Sequence, residues 1–241
     1  MEKNPEMSVI MPMYNAENIV DNLKDVIKDL DSLNFSYEII LVNDGSTNNC
    51  YEEAKKFKDK RVRVECYKKN QGKGNALKYG LNFAKGEYVA FLDSGGDLDP
   101  KQLKNFLRIM NQEKADIVVG SKRHPESKVY YPLFRKIMSK TYRIVNKILF
   151  NLDVKDTQVG IKLFKKGVLK QIMPKILVKR FAFDLEVLVV ATKLKFKIVE
   201  APIVLEYQFK STINPKAVFL ILLDTAAILY RLKILRWYDK K

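Results

Sequence analysis

The chain has 241 residues, 47% of them hydrophobic and 30% charged, which excludes a disordered chain and leaves apolar material for a real core. Two cysteines, Cys50 and Cys66, exclude a disulfide framework, no Cys/His cluster has zinc spacing, and the lone His124 excludes any mechanism that needs two histidines. Lys and Arg number 44 against 28 Asp and Glu, net +16, and the excess is segregated: residues 1–120 carry 18 basic and 19 acidic side chains, residues 121–241 carry 26 and 9. The second half therefore calls for a polyanionic partner, whether phosphorylated ligand, anionic membrane or nucleic acid. Residues 1–7 are polar and acidic and carry no secretory pattern, which with the few cysteines predicts a reducing cytosolic setting.

Residues 8–11 read as a buried strand ended by Pro12. Over 18–33, Ile19, Leu23, Val26, Ile27 and Leu30 share one helical face. Further strands are predicted at 37–42, 62–66, 88–92 and 117–119, with helices at 72–83 and 100–110; Asn43-Asp44-Gly45-Ser46 is a turn leading into another helix start. This alternation predicts an α/β fold with a mostly parallel sheet covered on both faces. Ligands in such sheets sit at the carboxyl ends of strands, so the loops after the first, second and fourth strands are where chemistry is expected. In the second half, 133–152 is a basic amphipathic helix: apolar pairs such as Ile137/Met138 and Ile144/Val145 alternate with Arg135, Lys136, Lys140, Arg143 and Lys147. A strand at 160–164, a helix at 181–194, a strand at 198–205 bent at Pro202 and a helix at 216–238 follow. The stretch 217–230 contains Asp224 and falls short of the roughly 20 apolar residues that span a bilayer. The Arg231, Lys233, Arg236, Trp237 and Tyr238 that follow it suit a membrane surface.

Three carboxylates, Asp93, Asp97 and Asp99, crowd the end of the fourth strand. Hard oxygen ligands at this density suit Mg²⁺ or Mn²⁺ bridging a diphosphate; Asp99, before Pro100, reads instead as a helix cap. Asn70-Gln71-Gly72-Lys73-Gly74 lets backbone approach a ligand and lets Lys73 reach a phosphate. It has neither P-loop nor dinucleotide spacing, so NAD and P-loop readings are poor. Asp44 is either a ligand for base or ribose or a turn former. Lys122, Arg123, Arg135 and Lys136 are either a solvated face or phosphate ligands, and their place beside the expected cleft favours phosphate. His124 reads as a polar loop residue.

Pro12-Met13-Tyr14-Asn15-Ala16-Glu17, Asn43-Asp44-Gly45-Ser46, Asn70-Gln71-Gly72-Lys73-Gly74-Asn75-Ala76 and Leu92-Asp93-Ser94-Gly95, in this order, resemble family 2 glycosyltransferases of the GT-A (Rossmann-like) fold. Gly120-Ser121-Lys122-Arg123-His124, Arg135 with Ser139, residues 156–164 and Phe181-Ala182-Phe183-Asp184-Leu185-Glu186 look like the dolichyl-phosphate glucose and mannose synthases, and the similarity spans about residues 7–212. The resemblance implies a GT-A domain at 1–212, made of a nucleotide-sugar half (1–120) and an acceptor half (121–212) with the 133–152 helix, then an interfacial helix at 213–241. It implies that Pro12, Tyr14, Glu17, Asp44 and Lys73 hold the nucleotide sugar and that Asp93 and Asp97 hold the metal and its diphosphate. Lys122, Arg123, Arg135 and Ser139 would hold the acceptor phosphate, with Asp93, Asp97, Arg123 and Arg135 as the catalytic set. Gly95 stands where the family has its second Asp, and Asp97 matches a further metal position. Ala16 replaces a Glu, leaving Glu17, and Gln208 or Lys210 stands where a late arginine is usual.

The implied reaction moves a hexose with inversion, glucose from UDP-glucose before mannose from GDP-mannose, to a polyprenyl phosphate on the cytoplasmic face of a membrane, by a peripheral enzyme. Two other readings compete. A family 2 enzyme acting on a sugar or protein hydroxyl needs a carboxylate base, for which Asp156, Asp184 and Glu186 are candidates. A nucleic-acid module fits the charge, but the cations are interleaved with an apolar face and no such motif is present, so no nucleic-acid partner is expected.

Overall fold

The computed structural model describes residues 4–129, 133–205 and 215–239, with backbone only at 133–141 and 215–217. Seven strands form one sheet: β1 (Met7–Met13), β2 (Tyr37–Asp44), β3 (Val62–Tyr67), β4 (Tyr88–Leu92), β5 (Ile117–Ser121), β7 (Ile161–Lys165) and β8 (Ile198–Pro202), in the order β3-β2-β1-β4-β7-β5-β8. A two-stranded ribbon pairs β6 (Lys128–Val129) with β9 (Val204–Leu205). All pairings of the large sheet are parallel except those of β7, which runs against β4 and β5. The predicted 198–205 strand is cut at Pro202, and its two pieces belong to different sheets.

The strand sequences are apolar on both faces because both are covered. Val9, Met11, Ile39 and Leu41 pack with Leu23 and Leu30 of α1 (Ile19–Asp31) and with Leu103 and Phe106 of α4 (Gln102–Gln112). Ile10, Ile40, Val42 and Phe91 pack on the opposite side with Leu77 of α3 (Lys73–Gly80), Leu169 of α6 (Lys166–Ile172) and Leu188 of α7 (Phe183–Lys193). A short α2 (Cys50–Lys56) follows β2, where the turn predicted a helix start. β1 does not stop at Pro12: it pairs with β2 as far as Met13, whereas its pairing to β4 ends at Ile10, so no ladder bond to β4 is lost at the missing proline N–H.

The amphipathic helix forms as α5 (Leu133–Phe150), and the last helix, α8 (Pro215–Lys233), stops before Trp237. The tail beyond α8 turns inward. Tyr238 is 2% exposed and donates to Glu186 Oε1 (2.6 Å), Arg231 pairs with the same oxygen (3.0 Å), and the Trp237 indole donates to the Lys175 carbonyl. Of the predicted surface cluster, these three side chains are therefore committed to the protein interior. Among the described residues, no helix is long and apolar enough to cross a membrane.

Candidate active site

The loops at the carboxyl edge of the sheet are tied to one another. Asn15, at φ 47°, donates its N–H to Ser46 Oγ (2.9 Å), and its Oδ1 accepts the Thr47 N–H (2.7 Å), so the loop after β1 is held against the loop after β2. On that first loop Tyr14 and Glu17 are exposed, and the Pro12 carbonyl accepts from Ser94 Oγ (2.8 Å), which brings in the loop after β4. Asp44 is buried and accepts from the N–H groups of Gln71 and Gly72 (2.7 and 2.9 Å) and from the Tyr67 hydroxyl (2.7 Å). It shapes the glycine loop with three of a carboxylate's roughly four acceptor sites.

Antiparallel β7 builds the next part. Leu92 lies opposite Ile161, so Gly160 falls beside Asp93, whose N–H donates to the Gly160 carbonyl (3.0 Å). A Cβ at position 160 would lie 2.0 Å from Asp93 Oδ2, so the carboxylate occupies a space that only glycine leaves open. Asp93 Oδ1 pairs with Lys73 Nζ at 2.7 Å, Lys73 lies 3.8 Å from Asp184 Oδ2, and Asp184 Oδ1 lies 2.8 Å from Lys162 Nζ. This alternating chain of charges runs from the cleft into the core, where Lys162 is 1% exposed and also donates to the Val159 carbonyl. Burial opposes the charge on Lys73, but Asp93 and Asp184 outweigh it and hold the ammonium well above its usual pKa.

Asp93, Asp97, Gly95, Gly160, Lys122 and Gln158 line one cavity. Burial, and after it the charge of Asp93, raises the pKa of the Asp97 carboxyl from its ordinary value. A divalent cation fits this donor set. Among the described residues no three acidic, His or Cys side chains gather as a metal centre, so two carboxylates would share the ion with substrate oxygens and water, as Mg²⁺ and Mn²⁺ sites do. Asp99 stands apart: its Oδ1 accepts the Lys101 N–H (2.7 Å) in the turn before α4, whose N-cap position is Lys101 and not Asp99 as the sequence suggested.

The basic side is fastened to the sheet by acidic residues. The Lys122 N–H donates to Asp156 Oδ2 (3.2 Å), and its ammonium lies 3.7 Å from the same oxygen. Glu200 Oε1 accepts the N–H groups of Lys155 and Asp156 (2.8 and 3.1 Å). This places Lys122 and Gln158 in the wall between the acidic cavity and a larger, mainly apolar one, bordered also by Tyr142, Asn146, Val218 and Leu222 from α5 and α8. Arg123 follows Lys122 and donates its N–H to Ser121 Oγ (3.3 Å). The side chains of Arg135, Lys136 and Ser139, and all of Gln208 and Lys210, lie outside the described residues. His124 accepts the Glu126 N–H on Nδ1, a loop role.

The structure thus brings Asp93, Asp97, Lys73 and Lys122 to one cleft. It gives places to residues for which the sequence reading assigned no site role: Gly160 and Lys162 of the 156–164 motif, Arg143 of the basic helix, and Asn146. Lys162 had a signal in the sequence. A lysine inside Ile161-Lys162-Leu163-Phe164 and an aspartate inside Phe183-Asp184-Leu185 are charges in buried runs, and buried charges come paired.

Known proteins were compared with this chain. The profile of glycosyl transferase family 2 matches residues 8–173. The dolichyl-phosphate beta-glucosyltransferase of Dictyostelium discoideum is 34% identical over 221 residues, 83% of this chain and 68% of that protein. Its namesake from Drosophila melanogaster is 31% identical over 222 residues, 84% and 68%. The chain therefore spans about two thirds of the length of these relatives. Among solved structures, glucosyl-3-phosphoglycerate synthase of Mycobacterium tuberculosis, in complex with Mn²⁺, UDP and glucosyl-3-phosphoglycerate, superposes with a TM-score of 0.69 at 18% identity, covering 94% of this chain and 79% of that one. S. aureus TarS 1–349 gives 0.58 at 18%, covering 93% and 65%. These likenesses show the GT-A fold.

Proposed function

Because the chain belongs to glycosyl transferase family 2, we propose that it transfers glucose from UDP-glucose to dolichyl phosphate, with inversion, at a membrane surface. The observation that carries this reading is the shared wall: Lys122 and Gln158 separate an acidic cavity suited to a nucleotide sugar from an apolar one suited to a prenyl chain. The names of the relatives point to the same sugar and the same acceptor. Residues 1–120 are the donor half, 121–212 the acceptor half and 213–241 the interfacial element. Pro12, Tyr14, Glu17 and Asp44 serve the nucleotide, and Lys122, Arg123, Arg135 and Ser139 serve the acceptor phosphate.

The acceptor is its own nucleophile. A phosphate monoester has its second pKa at about 6 and is dianionic near neutrality, so no protein base is required. A phosphate oxygen attacks C1 of glucose from the face opposite the nucleotide, the bond from C1 to the diphosphate oxygen breaks, and the electron pair leaves with UDP. Lys73, held charged, faces the developing charge of the diphosphate, and Lys122 orients the attacking phosphate. A bound Mg²⁺ or Mn²⁺, held by Asp93 and Asp97, would neutralise diphosphate charge.

The reading with a sugar or protein acceptor needs a free carboxylate. Asp156 is occupied by Lys122 and backbone N–H groups, Asp184 by Lys162 and Lys73, and Glu186 by Arg231, Tyr238 and the N–H groups of Leu177 and Val178. None of the three is poised to take a proton. Peripheral attachment to a membrane is supported by apolar side chains left exposed on α5 and α8, among them Ile148 (76%) and Phe219 (60%).

The test is incubation with labelled UDP-glucose or GDP-mannose and dolichyl phosphate, scoring label that enters the organic phase. Label from UDP-glucose is expected. Label from GDP-mannose alone would change the sugar, and label reaching only water-soluble acceptors would overturn the reading.

A further inference from the structure

We infer that the side-chain amides of Asn146 and Gln158 bind the headgroup of a prenyl monophosphate in the apolar cavity, and so select a phosphorylated acceptor over a neutral one. Asn146, on α5, is 3% exposed; its amide lies near the Tyr142 hydroxyl, yet neither its Oδ1 nor its Nδ2 makes a hydrogen bond of good geometry. Gln158 Nε2 is likewise enclosed and unpartnered. Buried amides without partners are rare in folded proteins because each forfeits its hydration and gains nothing in return. Here both belong to one cavity, and that cavity points to what would satisfy them.

The wall carries the cations Lys122, Arg143 and Lys155 beside the two amides, one carboxylate, Asp156, that Lys122 and backbone N–H groups already hold, and apolar Val218, Ile221 and Leu222 from α8. Amide N–H donors and cations together call for an anion with several acceptor oxygens. The α8 side calls for hydrocarbon. A phosphate monoester on an isoprenoid chain has both, whereas free phosphate would leave the apolar wall bare and a prenyl alcohol would leave the donors and cations largely unanswered. Gln158 borders the acidic cavity as well, so a phosphate held by its amide would stand at the boundary the sugar must cross. Asn146 would contact the same headgroup from α5, with its oxygen left to accompanying water. This rests on the reading above and extends it to residues outside the cationic set.

The test is binding of farnesyl phosphate, farnesol and inorganic phosphate, measured by calorimetry on the whole protein and on Asn146→Leu, Gln158→Leu and Gln158→Glu. Farnesyl phosphate is expected to bind wild type at least about tenfold more tightly than farnesol or phosphate. Each leucine variant should lose about tenfold for farnesyl phosphate, the scale of one hydrogen bond to a charged group, with farnesol binding unchanged and the melting temperature equal or higher. Gln158→Glu, which keeps a polar side chain and adds a charge, should lose more for farnesyl phosphate and nothing for farnesol. Unchanged binding in the variants, equal losses for phosphate and alcohol, or no preference in wild type would each overturn the inference. These readouts need no turnover. A protein that shows the binding split but transfers no glucose would sink the proposed reaction and leave this site standing.

Discussion

The two cavities that meet at Lys122 and Gln158 are built on opposite principles. In the front one, charged groups are committed to one another: Asp93 to Lys73, Lys73 to Asp184, and Asp184 to Lys162. In the rear one, Gln158 Nε2 has no partner and the Asn146 amide makes no well-formed hydrogen bond. The first arrangement sets geometry before a substrate arrives, which is how a site stabilises developing charge without reorganising. The second keeps polar groups in reserve for a ligand that brings its own charge. Interlocked ions therefore mark framework and empty-handed amides mark an arrival point.

Perturbing the interlocked side should separate structure from chemistry. The largest effect is expected from Lys162→Met, which leaves Asp184 buried without its nearest partner. Breaking such a pair costs about 3–5 kcal/mol, measurable by urea denaturation, and an unchanged midpoint would show that the buried pair is not structural. Asp93→Asn should leave that midpoint nearly unmoved, because the Asp93 side chain is 43% exposed. It should lower glucose transfer about 10²–10³-fold, the scale of losing a group that stabilises transition-state charge. Chelation with EDTA should stop transfer and added Mn²⁺ or Mg²⁺ restore it; activity indifferent to EDTA would remove the cation from the account. Gly160→Ala pushes a methyl into the space of Asp93 Oδ2 and should cost up to about 10²-fold in rate, the scale of a displacement near 1 Å. The smallest effect is expected from Tyr238→Phe, which removes one donor from Glu186. A loss of about 1.5–3 kcal/mol of stability, with transfer at permissive temperature retained, would place the tail as a staple and not as part of the site.

The sequence carried the layered core because a strand covered on both faces must be apolar throughout, as Val9-Ile10-Met11 and Ile39-Ile40-Leu41-Val42 are. It carried Asp93, Lys73 and Lys122 because charged or glycine-flanked residues at strand ends have few other uses. It did not carry the reversed direction of β7, which depends on which neighbours remain free once the parallel strands have paired, and with it went the contact between Gly160 and Asp93. Helix α6 was missed because Lys166–Ile172 is two turns long and shows too little periodicity. Trp237 and Tyr238 read as surface aromatics because their partners, Lys175 and Glu186, lie some 50 to 60 residues away along the chain. Asn146 carried no signal in the sequence; only the cavity beside it shows that it faces inward with no well-formed hydrogen bond.

The central claim is that a lipid-borne phosphate, and no protein base, attacks the sugar. It is tested most directly by giving the purified chain labelled UDP-glucose with either dolichyl phosphate or dolichol and following organic-soluble label between pH 5 and 8. Label is expected with dolichyl phosphate only, at a rate that rises as the acceptor loses its second proton near about pH 6 and then levels. Equal transfer to dolichol would contradict it, because a neutral hydroxyl needs a base, and Asp156, Asp184 and Glu186 are each already paired.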